Sequence, residues 1–249
     1  MKCLLLAGGF GTRLYPYVTN TAKALLEYDG KPVITHIVEQ VPDHIDILVS
    51  TNKYFEGDFL EWQEKLHRQV EICVEESLSD REKKGATSAI DYWIKSKNIS
   101  EDLLVIAADN YFRFDLVDMI SNFDGNNVLI AVHDFSDINK ICQKGQQCQY
   151  GLVTMNSNRI VRFDEKPVVA LSSIVATGIY MLPKRIFPHL SLFCSNKKQD
   201  NLGSFFSYLL DKENVFGYRF QNTWLDIGDD IIDSINNNGE MKIPFSAAK

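Results

Sequence analysis

Cys3-Leu4-Leu5-Leu6-Ala7-Gly8-Gly9-Phe10-Gly11-Thr12-Arg13 joins a short apolar run to a loop holding three glycines and ending on an arginine. The apolar run reads as a buried strand. Glycine has no Cβ, so the loop after it lets the backbone come within hydrogen-bonding distance of a phosphate chain. Arg13 adds a planar fork of donors suited to phosphate oxygens. Two familiar glycine patterns are excluded. No stretch supplies the Gly-Lys-Ser/Thr of a Walker loop. Gly9 and Gly11 start a dinucleotide fingerprint, but Leu14 stands where its third glycine belongs, and no acidic residue closes a strand about twenty residues on. On this stretch alone a phosphate cradle and an ordinary tight turn are both open.

Outward from the loop, apolar runs and helical faces alternate. Ile45–Ser50, Val70–Val74, Leu103–Ala107 and Val128–Val132 read as strands. Val33, Ile34, Ile37, Val38 and Val41 mark one helical face, and Ala86, Ala89, Ile90, Trp93 and Ile94 mark another. Phe59, Trp62 and Leu66 suggest a third, and Asp115 is a fitting cap for a short helix through Phe123. This alternation predicts an α/β fold with a mostly parallel, Rossmann-like central sheet and helices on both faces. From residue 115 the character changes. Tyr150–Met155, Ile160–Phe163 and Ala176–Met181 read as strands joined by turns such as Asn156-Ser157-Asn158, as expected of a smaller, more antiparallel acceptor-binding lobe. The expectation is one domain over 1–249, in two halves, 1–114 and 115–249.

Composition narrows the classes. The 249 residues are 45% hydrophobic and 24% charged, ordinary globular usage able to bury a full core. No apolar stretch approaches the roughly 20 residues that cross a bilayer, and the N-terminal run lacks a cleavage site, so no membrane and no signal peptide are expected. A net charge of −7 disfavours nucleic acid as partner. The five cysteines are odd in number and contain no Cys-x-x-Cys, which predicts reduced thiols, a cytoplasmic location and no zinc site. His36, His44, His67, His133 and His189 have no mutual metal-ligand spacing.

Further motifs give the loop its meaning. Lys23 follows in Thr21-Ala22-Lys23-Ala24-Leu25-Leu26, and Lys31-Pro32 stands at the start of the first helix, where proline suits an N-terminal turn. Asp109-Asn110 come after the strand ending at Ala107, where ligands sit in open α/β sheets. Asp164-Glu165-Lys166-Pro167, Ala176-Thr177-Gly178-Ile179-Tyr180 and Trp224-Leu225-Asp226-Ile227-Gly228 complete the series. Bland readings exist for each. Asp109 and Asn110 are able to cap a helix, and Glu165 with Lys166 would make an ordinary surface pair. Asp226, between Leu225 and Ile227, needs a charged partner or a metal in so apolar a setting.

Taken in order, these motifs resemble the sugar-1-phosphate nucleotidylyltransferase family, in particular compact relatives of glucose-1-phosphate thymidylyltransferase. The resemblance runs from Leu6 to about residue 230 and implies the nucleotide-diphospho-sugar transferase type of fold. It implies that an NTP and a sugar-1-phosphate give an NDP-sugar and pyrophosphate by in-line attack at the α-phosphorus, with catalysis by positioning and charge stabilisation. It assigns Mg²⁺ to Asp109 and Asp226, and catalytic contacts to Arg13, Lys23 and Lys166. Nucleotide contacts fall on Leu6, Ala7, Gly8, Gly9, Gly11, Thr12, Glu75 and Gly85. Sugar-phosphate contacts fall on Gly151, Glu165, Lys166, Thr177 and Tyr180.

The base-reading stretch departs from the thymidylyltransferase pattern, because Glu75 stands where a glutamine would both donate and accept. Thymidylyl or uridylyl transfer therefore ranks only just above guanylyl or cytidylyl. Asp200-Asn201-Leu202-Gly203-Ser204-Phe205-Phe206 replaces the acidic segment of the tetrameric enzymes, which leaves a homo-oligomer and allosteric control open. Two alternatives stand beside the main reading: a cytidylyltransferase for a non-sugar phosphate such as phosphocholine, and a catalytically dead regulatory subunit that binds NDP-sugars.

Overall fold

The structure is a computed structural model that describes residues 1–11, 21–79, 84–142, 146–196 and 201–228. Arg13 and Thr12, and part of the polar loop Gln143–Gln149, lie outside the described residues. In chain order the elements begin with strands β1 (Lys2–Leu6), β2 (Glu27–Tyr28) and β3 (Lys31–Pro32), helix α1 (Val33–Gln40) and strand β4 (Asp46–Asn52). Next come α2 (Glu56–Glu64), β5 (Glu71–Glu75), α3 (Ala86–Ser96), β6 (Leu103–Ala107), β7 (Asn110–Phe112) and α4 (Leu116–Ser121). β8 (Val128–Asp134), β9 (Leu152–Asn156), β10 (Arg159–Asp164) and β11 (Ile174–Leu182) follow. The last elements are α5 (Phe187–Ser195), α6 (Leu202–Leu210), β12 (Val215–Phe220) and β13 (Trp224–Asp226).

These elements fall into two compact units. One gathers Lys2–Lys83, Ile106–Arg113 and the residues from Thr223 on; the other gathers Met1, Lys84–Val105 and Phe114–Asn222. The units are interleaved in sequence, and one of the boundaries between them, after Val105, falls within β6.

The first unit carries parallel strands in the order β5-β4-β1. Leu4 lies opposite Leu48 and Val49 opposite Ile72, all in apolar runs typical of a parallel sheet covered on both sides. Cys3, Leu4, Leu5 and Val49 have no exposed surface. Burial pushes the Cys3 thiol pKa well above its usual value, the Arg68 charge opposing it only in part, so this cysteine is inert core. α1 buries Val33, Ile34, Ile37 and Val38, the face its periodicity predicts. β2 and β3 form a hairpin whose Asp29 and Gly30 both take positive φ (51° and 81°), as a two-residue turn of this hand requires. β7 and β13 form a short antiparallel ribbon, Trp224 opposite Phe112 and Asp226 opposite Asn110.

In the second unit the order is β11-β8-β12-β10-β9, and β9 also pairs with β11 at Leu152 and Val175, so the order returns on itself. β8 and β12 run parallel; the other pairs are antiparallel. α6 lays Phe205 and Phe206 inward, with Phe206 against Phe163 (ring centroids 5.7 Å apart) and Tyr180 (4.8 Å). Asp115 caps α4 as expected, accepting from the N–H groups of Val117 and Asp118 at 2.9 and 3.2 Å.

Two expectations need correction. The cysteines are not all free, because Cys142 and Cys148 are joined. Their Cα atoms lie 4.3 Å apart, a proximity that parity of the count cannot reveal. Cys3, Cys73 and Cys194 remain free thiols. Asp109 and Asn110 cap no helix, since the chain continues directly into β7. Among the described residues no helix is long and apolar enough to cross a membrane.

Candidate active site

The strand ends of the first unit converge on the glycine loop. Ala7 donates its N–H to the Ser50 carbonyl at 2.7 Å, and Ala108 donates to the Leu6 carbonyl at 3.0 Å. Ile227 donates to the Asp109 carbonyl at 3.0 Å, which brings the end of β13, at Asp226, to the same place. Buried Asn52 holds the loop itself: its Nδ2 donates to the Gly8 carbonyl at 3.1 Å, while its Oδ1 accepts from the Phe55 N–H at 3.0 Å. Leu6, Ala7, Gly8, Asp109 and Asp226 therefore share one edge of this unit.

Asn110 braces the two aspartate segments. Its Nδ2 donates to the Ala107 carbonyl at 3.0 Å, and its Oδ1 accepts from the Trp224 indole N–H at 2.8 Å. Both groups are buried and satisfied, so the ribbon carrying Asp109 and Asp226 is fixed in register rather than loosely apposed. Lys23 starts a single helical turn anchored by the buried neighbours Ala22, Ala24 and Leu25. Its Nζ reaches 3.4 Å from Asp109 Oδ2, both side chains being largely shielded from solvent. A Cβ on Gly228 would overlap that ammonium, and the Gly228 N–H donates to Asp226 Oδ1 at 3.0 Å. Glu75 ends β5 as a buried carboxylate whose Oε1 accepts from Ser50 Oγ at 3.3 Å. Gly85 is the N-cap of α3 and belongs to the other unit.

The second unit holds the acceptor candidates. Gly151 and Gly203 both lie against Glu165 and Phe163: a Cβ on Gly203 would overlap Glu165 Oε2, and one on Gly151 would stand 3.2 Å from it. Burial raises the Glu165 pKa above the usual carboxylate range, with the neighbouring Lys166 charge partly opposing the shift. Tyr180 is buried, and its phenol pKa is pushed up by that burial and by the Glu165 charge. A cavity of about 260 Å³ opens here, between Phe163, Asp164, Glu165 and Pro167 on one side and Gly203, Ser204 and Ser207 on the other. Lys166 takes φ 43° immediately before Pro167, a left-handed backbone that a non-glycine residue adopts at a local cost. Such strain persists where the surroundings over-determine it, as at ligand clamps. Thr177 does not offer its proton to a ligand: its buried Oγ1 donates to the Ala131 carbonyl at 2.9 Å.

A family model for nucleotidyl transferases matches residues 2–238. The chain belongs to that family. Among the relatives of this chain, the bifunctional protein GlmU of Methanocaldococcus jannaschii is 26% identical over 230 residues, which cover 92% of this chain and 51% of the relative. A mannose-1-phosphate guanyltransferase (beta-B) of Xenopus laevis is 27% identical over 239 residues, covering 92% and 61%. The chain thus spans about half to three-fifths of the length of these relatives. A Bacillus anthracis chain assigned as a glucose-1-phosphate thymidylyltransferase and solved with sucrose has the same fold (TM-score 0.78, 22% identity, 99% and 98% of the two chains).

The aspartate pair suits a hard divalent cation. Among the described residues no group of three or more His, Cys, Asp or Glu could hold a metal, so this pair would need phosphate oxygens or water to complete a shell. A cation already sits beside it, in the form of the Lys23 ammonium. Gly203, Gly228, Asn52 and the Asn110–Trp224 brace are site features that reading the residues one at a time does not find. Gly228 lies inside the Trp224–Gly228 motif, which is the one signal pointing to it.

Proposed function

We propose that this chain is a sugar-1-phosphate nucleotidylyltransferase. In the reaction a phosphate oxygen of the sugar-1-phosphate forms a bond to the α-phosphorus of the NTP. The bond from that phosphorus to the β-phosphate bridge breaks, and pyrophosphate leaves in line. The observation that carries the reading is the convergence of Lys23, Asp109 and Asp226 on the glycine-loop edge of one unit. Gly8, Gly9, Gly11 and Thr12 would cradle the triphosphate with backbone groups, and Arg13 would hold its oxygens. Lys23 would stabilise charge developing on the leaving phosphates. Asp109 and Asp226 would hold Mg²⁺, which when bound supplies charge neutralisation at the phosphate oxygens. In the other unit Lys166 would orient the incoming phosphate, while Glu165, Tyr180 and the Gly151 backbone would meet sugar hydroxyls. Those hydroxyls need paired donors and acceptors, which favours a polyhydroxylated acceptor over phosphocholine. With Lys23, Asp109 and Asp226 all present, a dead subunit is disfavoured. Both substrates are cytoplasmic metabolites, which puts the proposed activity in that compartment.

Glu75 supports a second reading of the base. An ionised carboxylate only accepts, so Glu75 in that form is matched by the N–H groups of guanine and opposed by the carbonyl edge of thymine or uracil. Pyrophosphate release measured across the NTPs and a set of sugar-1-phosphates with Mg²⁺ tests both readings. Turnover with one pair is the expected result, and GTP as the preferred nucleotide would assign the base contact to Glu75. No turnover with any pair rejects the transfer reading.

A further inference from the structure

We infer that Gly228 is a positioning residue: its missing side chain is the seat that holds the Lys23 ammonium between Asp109 and Asp226. The inference deepens the proposed transfer reaction and rests on it. A Cβ at Gly228 would overlap Lys23 Nζ and stand 2.6 Å from Lys23 Cε, while the same point lies 3.4 Å from Asp226 Oδ1. The space a methyl group would fill is therefore occupied by the lysine tip, beside one carboxylate and 3.4 Å from the other aspartate's Oδ2. Gly228 does not adopt positive φ, so backbone conformation gives no reason for glycine here. Its N–H donation to Asp226 Oδ1 at 3.0 Å is a backbone bond that any residue except proline could make. What glycine alone provides is room.

Among the described residues the overlap falls wholly on the flexible end of a lysine. Gly228→Ala can therefore keep the fold and displace only the ammonium. A reacting-site charge moved by about 1 Å loses on the order of a hundredfold in rate. Lys23 would then no longer lie where the leaving phosphates develop charge.

The test is a double-mutant cycle over Lys23→Ala and Gly228→Ala, read three ways: kcat with the preferred NTP and sugar-1-phosphate, calorimetric affinity for inorganic pyrophosphate, and melting temperature. Gly228→Ala is expected to lower kcat about a hundredfold and weaken pyrophosphate binding about tenfold at an unchanged melting temperature. In the Lys23→Ala background it should change neither rate nor affinity. Equal losses in both backgrounds, or rate and affinity within twofold of the parent, overturn the inference. Lys23→Arg is the second variant should Gly228→Ala not fold. Its broad guanidinium does not fit the notch, so it should lose as much as Lys23→Ala, and full activity overturns the seat. A parent protein that neither turns over nor binds pyrophosphate removes the transfer reading, and this inference with it. A parent that binds pyrophosphate with an insensitive Gly228→Ala removes the seat alone.

Discussion

Lys23 in one unit and Glu165 in the other are charged side chains laid over glycines, yet the two seats differ in what surrounds them. Over Gly228 the nearest atoms to a methyl group, among the described residues, are the lysine tip and one carboxylate oxygen in ordinary contact. Over Gly203 a methyl group would also meet Phe163 Cε1 at 2.8 Å and Glu165 Cβ at 2.9 Å. Phe163 in turn packs on Phe206 of α6, so that seat is part of a core. Side chains that end in open chemistry can be moved without unfolding anything, whereas those wedged into ring packing cannot. The same glycine-to-alanine change should therefore separate the two units: function without stability in one, stability together with acceptor binding in the other.

The largest effect should come from Asp226→Asn, which keeps the shape of the Lys23 pocket and removes its charge. A loss of at least about a hundredfold in kcat is expected, the usual weight of such electrostatic stabilisation, read by steady-state kinetics at saturating Mg²⁺. A rate near that of the parent would show that the first unit's pocket is not where charge develops. Gly203→Ala comes next. Overpacking should destabilise by roughly 1–3 kcal/mol in denaturant titrations, with a raised KM for the sugar phosphate and an unaltered KM for the nucleotide. An unchanged midpoint would erase the contrast between the seats.

The smallest effect is a pH dependence. Burial raises the Glu165 pKa in the folded state above its unfolded value. Its contribution to stability is thus fully present below the unfolded carboxylate value and is lost as pH rises through the folded one. Glu165→Gln should be more stable than the parent at neutral pH, and the gap should close on acidification through the raised value. Paired unfolding curves over that range check it, and a gap that widens towards acid would contradict the burial argument.

The elements legible in the sequence were those whose burial shows as a run or a period. β6 falls on Leu103–Ala107 as its apolar run predicts, and α3 starts at the predicted Ala86. β12 was not legible, because Gly217 interrupts Val-Phe-Gly-Tyr-Arg-Phe, and its space is taken by Met155 and Val132 from other strands. At the candidate site, Lys23, Asp109, Glu165 and Asp226 were named from the order of the motifs and the resemblance they carry. What the order hides is where a side chain spends its hydrogen bonds. Thr177 gives its proton to Ala131, and Asn110 is a brace rather than a cap. The seats under Lys23 and Glu165 are hidden for the same reason, since the atom that forbids a Cβ belongs to a residue far away in sequence.

That brace also sets an order of events. The Trp224–Asn110 hydrogen bond joins residues 114 positions apart, and β7 has no partner strand among the described residues other than β13. A nascent chain stopped before Trp224 would carry Asp109 without its counterpart, Lys23 without its notch, and an unpaired strand edge. Competence would then arrive in one late, non-local step, slow in proportion to the loop it must close. Until that step the ribosome would hold a protein with much of its fold and no site.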